Sequence, residues 1–137
     1  MNFPTVSVVI PTYNEGHDVL DTVDCILRNS GARLIQLIVV DDGSTDHSAS
    51  ALKRLAKAGK IELYVGDKLG AIDARNQGAA MAKGEIVGFI DAHCYTPSNW
   101  LYPLLKVFVE QPHVSALSPV ISCTKNLMAK GYGATWV

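Results

Sequence analysis

The chain lacks most of the features that assign a protein to a special environment. Three of its 137 residues are cysteines, Cys25, Cys94 and Cys123. Their number is odd, their spacing is wide and no CxxC pair occurs, so no disulfide framework is expected and a reducing compartment fits. Lysine and arginine (12) nearly balance aspartate and glutamate (13), leaving a net charge of −1. Without a basic excess, nucleic acid is not the expected partner. No apolar run approaches the roughly 20 residues that a membrane helix needs. Met1-Asn2-Phe3-Pro4 lacks the charged stretch and apolar segment of a secretion signal. The cytoplasm is therefore the expected location, with any membrane attachment made through a segment absent from this chain. Signature loops are missing too. Without GxGxxG, GxxxxGK[ST] or GxSxG, the sequence argues against an NAD-binding site, a P-loop and a hydrolase elbow.

What is present is core material. Apolar residues make up 48% of the chain, which argues for a folded domain rather than disorder. The length suits one domain over residues 1–137 and is too short for two. No internal repeat or low-complexity tract interrupts it.

Apolar runs at 6–10, 34–40, 61–65 and 86–90 read as strands, the first stopped by Pro11, the third short, and those at 34–40 and 86–90 buried, the last followed directly by an acid and an imidazole. A fifth strand is expected over 114–121, interrupted by Pro119. Between the strands the period changes. Val19, Leu20, Val23, Ile26 and Leu27 make a helical stripe that ends at Ser30-Gly31. Ala49, Leu52, Leu55 and Ala56 make a second, opened by cap candidates in Gly43-Ser44-Thr45-Asp46. Gly70 opens a third helix, in which Ala71, Ala74, Gly78 and Met81 form a small-residue face. A fourth starts at Pro97-Ser98-Asn99 with Trp100, Leu101, Leu104, Leu105 and Phe108 inward, and tolerates Pro103 only in its first turn. The tail from Lys125 has no clear period. Alternating strands and helices with continuous apolar strands imply an α/β fold: a doubly wound, mostly parallel sheet with helices on both faces.

In such sheets ligands bind beyond the carboxyl ends of the strands. The polar clusters fall at that edge: Thr12-Tyr13-Asn14-Glu15 after the first strand, Asp41-Asp42 after the second, Asp91-Ala92-His93 after the fourth. A lone Asp-Asp-Gly-Ser is most often a turn that caps a helix. Two adjacent acids ask for more than one cap, and a strand-end carboxylate suits the base or ribose of a nucleotide. Asp91 and His93, two apart in extended chain, are expected to point the same way and to share a divalent cation. A carboxylate suits Mg²⁺ or Mn²⁺, and the imidazole moves the preference towards Mn²⁺. Four ligands for a structural zinc are not apparent. In the third helix, Gly70 permits close approach of a ligand, and Arg75 is placed for an acid or a phosphate. His17, His47 and His113 read as surface residues. Cys94 reads as a small buried neighbour, and Trp100, Phe108 and Trp136 as core.

With these residues in place, the chain resembles the inverting glycosyltransferases of family 2, which have the GT-A fold. The resemblance rests on Val6 through Glu15, Ile38 through Asp46, Gly70 through Gly78 with Ala74-Arg75-Asn76, and Gly84 through His93. It implies a nucleotide-sugar donor, usually UDP-linked. Pro11, Thr12, Tyr13 and Glu15 would then lie around base and ribose, Asp42 would hydrogen-bond the uracil, and Gly70 and Arg75 would line the donor cleft. Asp91, Ala92 and His93 would stand in place of the family's D-x-D, with Asp91 and His93 holding Mn²⁺ or Mg²⁺. This D-x-H is similar to that of the polypeptide N-acetylgalactosaminyltransferases. The acceptor, whether glycan, lipid or protein, stays open. In the family the general base is an acid well downstream, and after Glu110 this chain has no Asp or Glu. The catalytic base is therefore unknown, and the chain is expected to be the N-terminal, donor-binding part of a larger enzyme. Apolar surface left uncovered in such a part favours self-association. The alternative is a non-catalytic nucleotide-binding module of the same fold. A phosphate-accepting receiver domain fits less well. Its lysine would have to be Lys125, and Tyr13-Asn14-Glu15 has no role in it.

Overall fold

The apolar run that opens the chain forms β1 (Val6–Thr12) in a computed structural model that describes residues 1–123 and 126–131, with side chains to residue 120. Lys125 and Trp136 lie outside the described residues. The elements that follow are α1 (Asp18–Asn29), β2 (Leu34–Asp41), α2 (His47–Lys57), β3 (Glu62–Val65), α3 (Gly70–Met81), β4 (Ile86–Phe89), α4 (Leu101–Glu110), β5 (Ile121–Cys123) and β6 (Asn126–Gly131). They fall into two compact units, Met1–Leu101 and Tyr102–Val137.

In the first unit four parallel strands are ordered β3-β2-β1-β4. The chain steps outwards from β1 to β3 and then returns to the other side of β1, so the winding direction reverses between β1 and β4. Both central strands are buried on both faces, as their aliphatic runs at 8–10 and 37–40 require. Val9, Ile38 and Val40 face α3 and pack with Ala74. Val8, Ile10, Leu37 and Val39 project the other way and are equally buried. α1 and α2 bury Val19, Val23 and Ile26, and Ala51 and Leu52, respectively. The sheet thus carries helices on both faces, as the sequence implies. Each fully buried Val, Ile or Leu contributes about 1.5–3 kcal/mol of burial free energy.

Gly78 decides how close α3 comes. A Cβ there would lie 2.3 Å from Val9 Cγ1 and 3.2 Å from Val40 Cγ2. At the amino end of the same face, Ser7 Oγ donates to Gln36 Oε1 (2.6 Å) and accepts from the amides of Lys83 (3.2 Å) and Gly84 (2.8 Å), pinning the α3–β4 turn to β1.

Several expectations need correction. β1 does not stop at Pro11 but runs on to Thr12. Val9 gives its carbonyl to Ile90 on the β4 side, and Pro11 points the same way, where β4 has already ended. Its missing N–H therefore costs no ladder bond. β4 is less buried than its sequence suggests. It is an edge strand among the described residues, and Phe89 is half-exposed. The strand expected over 114–121 does not form: residues 114–120 are irregular. Pro112 and Pro119 restrict their neighbours and remove donors there. Instead β5 pairs antiparallel with β6 in a separate two-stranded sheet. α4 begins at Leu101, after a turn in which Asn99 has φ +58°, and Pro103 falls in its first turn. On α3 only Ala74 and Gly78 of the small-residue face are buried, while Ala71 is exposed. His17, His47 and His113 are exposed as expected, whereas Trp100 and Phe108 are half-buried. Trp100 Nε1 donates to Ser30 Oγ at 2.8 Å.

Candidate functional site

The carboxyl ends of β1 and β2 are held by hydrogen bonds between their loops. Asn14, with φ +49°, closes the turn after β1. Its amide donates to Ser44 Oγ (2.9 Å), and its Oδ1 accepts from the Thr45 amide (2.7 Å). The Gly16 amide donates to Asp46 Oδ2 (2.9 Å), while Asp46 Oδ1 caps α2 at the Ser48 amide (3.0 Å). The Ser48 hydroxyl, which also donates to Asp46, holds that carboxyl below the ordinary carboxylate range, and the Gly16 and Ser48 amides add to the effect.

The two adjacent acids have separate structural partners. Asp41 is buried, and its Oδ1 accepts from the Ser44 amide at 3.0 Å. Asp42 reaches across to α3, where Oδ1 accepts from the Leu69 amide (2.6 Å) and Oδ2 from the Gly70 amide (2.9 Å). Backbone donors thus account for both carboxylates, Asp41 closing the turn after β2 and Asp42 capping the start of α3. Gly70 has φ +82°, which an L side chain rarely adopts, and nothing stands within 4 Å of a Cβ built there. Conformation rather than crowding therefore demands glycine at this helix start.

Asp91 and His93 do not continue an extended strand. β4 ends at Phe89, and Ala92 and His93 form a turn. Ala92 is buried and anchors this turn, while Asp91 and His93 are exposed. Asp91 Oδ1 accepts from Arg75 Nη2 at 3.0 Å, and Arg75 Nη1 donates to the Ala71 carbonyl at 3.3 Å. His93 Nδ1 lies 3.5 Å from Glu15 Oε2, an ion pair when the imidazole is protonated. Cys94 is half-buried. Burial, and then the charge of Asp91, push its thiol up, which disfavours the thiolate a metal would need.

An open cleft of about 230 Å³ lies at these strand ends. It is lined by Pro11, Thr12, Tyr13, Glu15, Asp42, Gly70, Ala71, Ala74, Arg75, Asp91, Ala92 and His93. Ten of these are the residues the sequence singled out, drawn from four separate stretches of chain. Ala71 and Ala74 were expected as helix packing alone. Their spacing from Gly70 and Arg75 on one helix was the signal for a second role. Thr12 Oγ1 is buried and has no hydrogen-bond partner among the described residues. No group of three or more His, Cys, Asp or Glu suited to a metal occurs among the described residues. A cation here would take Asp91, His93 and oxygens from elsewhere. The cavity sits where winding reverses between β1 and β4, the place at which open α/β sheets bind ligands.

The sequence model of the family described as "Glycosyl transferase family 2" matches residues 7–135. Human polypeptide N-acetylgalactosaminyltransferase 16 is 35% identical over 123 residues, which cover 88% of this chain and 22% of that protein. The chain thus spans about a fifth of the length of this curated relative. The crystal structure of GalNAc-T7 with UDP, GalNAc and Mn²⁺ superposes with a TM-score of 0.73 at 30% identity, covering 80% of this chain and 22% of that one. The mannosyltransferase PcManGT of Pyrobaculum calidifontis, solved with GDP-Man and Mn²⁺, gives 0.66 at 28% identity, covering 90% and 36%. The match reaches from β1 almost to the end of the sequence, through every strand end that builds the cavity, and on it the chain belongs to glycosyl transferase family 2.

Proposed function

We propose that this chain is the donor-binding part of a glycosyltransferase that uses a nucleotide-diphosphate sugar, UDP-linked, with a divalent cation at Asp91 and His93. One observation carries the reading: a single cavity at the sheet's switch point gathers Pro11, Thr12, Tyr13, Glu15, Asp42, Gly70, Arg75, Asp91, Ala92 and His93. Support comes from the GalNAc-T7 structure, which holds UDP and Mn²⁺, and from the mannosyltransferase, which holds GDP-Man and Mn²⁺.

The donor set fits such a cation. A carboxylate and an imidazole suit Mn²⁺, and the carboxylate alone suits Mg²⁺. Two protein ligands leave coordination positions for diphosphate oxygens. When bound, the cation would neutralise the charge that develops on the departing nucleoside diphosphate.

The remaining roles belong to the protein. Each Asp42 oxygen accepts one backbone amide, and each keeps a further lone pair for an N–H of uracil. Its orientation is set before the donor arrives, so little ordering is needed on binding. Tyr13 is half-exposed and lies with Pro11 on the cavity wall, a surface against which a base packs. Thr12 and Glu15 complete the base and ribose side, and the Arg75 guanidinium supplies positive charge on the diphosphate side. We place the general base outside these residues, because no Asp or Glu follows Glu110. The chain by itself is therefore expected to bind donor and turn over poorly.

Calorimetric titration of UDP into the protein, with Mn²⁺ and then with EDTA, tests the reading. Binding that needs Mn²⁺ and is lost in Asp91→Ala supports it. UDP binding that is indifferent to EDTA and to Asp91→Ala points instead to a non-catalytic nucleotide module. No binding in either condition refutes the donor site.

A further inference from the structure

We propose that Arg75 is the counter-ion of Asp91 while the metal is absent, and that the donor's diphosphate frees Asp91 by drawing Arg75 onto itself, so that donor and cation bind cooperatively. The inference rests on the donor-site reading above and adds to it a coupling between the two ligands.

The geometry supplies the competition. Arg75 Nη2 donates to Asp91 Oδ1 at 3.0 Å, and Nη1 is tethered to the Ala71 carbonyl at 3.3 Å. The guanidinium is thus held at two points, one of them the carboxylate that would hold a cation. Arginine cannot shed its charge. A cation approaching Asp91 therefore meets both an engaged carboxylate and a fixed positive charge. The side chains are 38% and 56% exposed, so water screens the pair and the obstruction is modest.

A diphosphate changes the balance. It matches the planar guanidinium fork with paired oxygens and carries more charge than one carboxylate. Arg75 and Asp91 line the same cavity, so Arg75 can exchange one anion for the other by side-chain rotation. Once Arg75 has moved, Asp91 would be free of its counter-ion and able to hold the cation. Linkage makes the effect reciprocal: whatever factor UDP adds to Mn²⁺ affinity, Mn²⁺ adds to UDP affinity. If Arg75 merely fixed the 91–93 turn, the opposite sign would follow. Its loss would then disorder Asp91 and weaken metal binding.

Mn²⁺ is titrated calorimetrically into the protein without nucleotide, and again with saturating UDP, for wild type, Arg75→Gln and Asp91→Asn. Without UDP, Arg75→Gln is expected to bind Mn²⁺ about two- to fivefold more tightly than wild type, the range an exposed ion pair supports. The gain in Mn²⁺ affinity that UDP confers should shrink by a similar factor. Equal or weaker Mn²⁺ affinity in Arg75→Gln overturns the coupling. Asp91→Asn separates the two levels. If it abolishes Mn²⁺ binding while Arg75→Gln brings no gain, only the coupling fails. If Asp91→Asn leaves Mn²⁺ binding intact, the metal assignment fails with it.

Discussion

Replacing Gly78 by alanine sets two well-characterised effects against each other. In an exposed helix, alanine is about 1 kcal/mol more favourable than glycine. Gly78 is not exposed. It faces the sheet, and the added Cβ would lie 2.3 Å from Val9 Cγ1, 3.1 Å from Val9 Cγ2 and 3.2 Å from Val40 Cγ2. Neither valine can yield easily. Both are fully buried on the two central strands, and a β-branched side chain has little χ1 freedom. α3 must therefore move away from the sheet. Overpacking of this kind costs about 1–3 kcal/mol, and an overlap of more than an ångström belongs at the upper end. After subtracting the propensity gain, Gly78→Ala should destabilise the protein by about 2 kcal/mol. That corresponds to a fall in Tm on the order of 8 °C for a domain of about 100 residues. Urea unfolding followed by far-UV circular dichroism measures it, as a lowered midpoint at unchanged slope. Gly88→Ala is the control. Its Cβ would lie 3.6 Å from Val8 Cγ2, an ordinary contact, and its stability should stay within about 0.5 kcal/mol of wild type. If Gly78→Ala proved as stable as wild type or more so, the tight α3–sheet packing, and with it the placement of Arg75 over the cavity, would be refuted.

Ser7→Ala removes the oxygen that accepts from the Gly84 amide, while the Lys83 amide keeps Gln36 Oε1 at 2.9 Å, and should cost about 1–2 kcal/mol in the same urea assay because the Gly84 donor loses its acceptor. Asp46 gives a pH signature. Its folded-state pKa is lowered, first by the Ser48 hydroxyl and then by the Gly16 and Ser48 amides. Its stabilisation is therefore complete above the unfolded-state value of about 3.9 and is lost as pH falls through the folded value. Asp46→Asn should flatten the acid limb of a plot of Tm against pH, and an unchanged limb would rule out this origin.

Four strands and four helices are legible in the sequence, the fourth helix starting later than expected at Leu101, because burial imposes a period that needs no knowledge of neighbours. The run of Val8, Val9 and Ile10 reads as buried on both faces, and Val19, Val23 and Ile26 read as one helix face. The candidate site was legible for a related reason. Polar residues directly after buried strands must emerge at one edge of a parallel sheet, so chain direction alone brings Tyr13, Asp42 and Asp91 to one edge. The second unit was harder to read. Pro112 and Pro119 sit in a stretch of mixed polarity, where neither period dominates, and the expected strand over 114–121 proved irregular.

The amino-acid sequence by itself thus determined the element types of the first unit, the parallel architecture and the edge at which the cavity-lining residues gather, because each follows from local periodicity and chain direction. Tertiary structure alone decided who meets whom. It let Pro11 stay in β1 by ending β4 beside it, gave Asp42 amide partners on α3 at Leu69 and Gly70, and set Arg75 on Asp91. These depend on strand order and on which donors remain unsatisfied after the sheet assembles, and both are non-local quantities that no window of sequence contains.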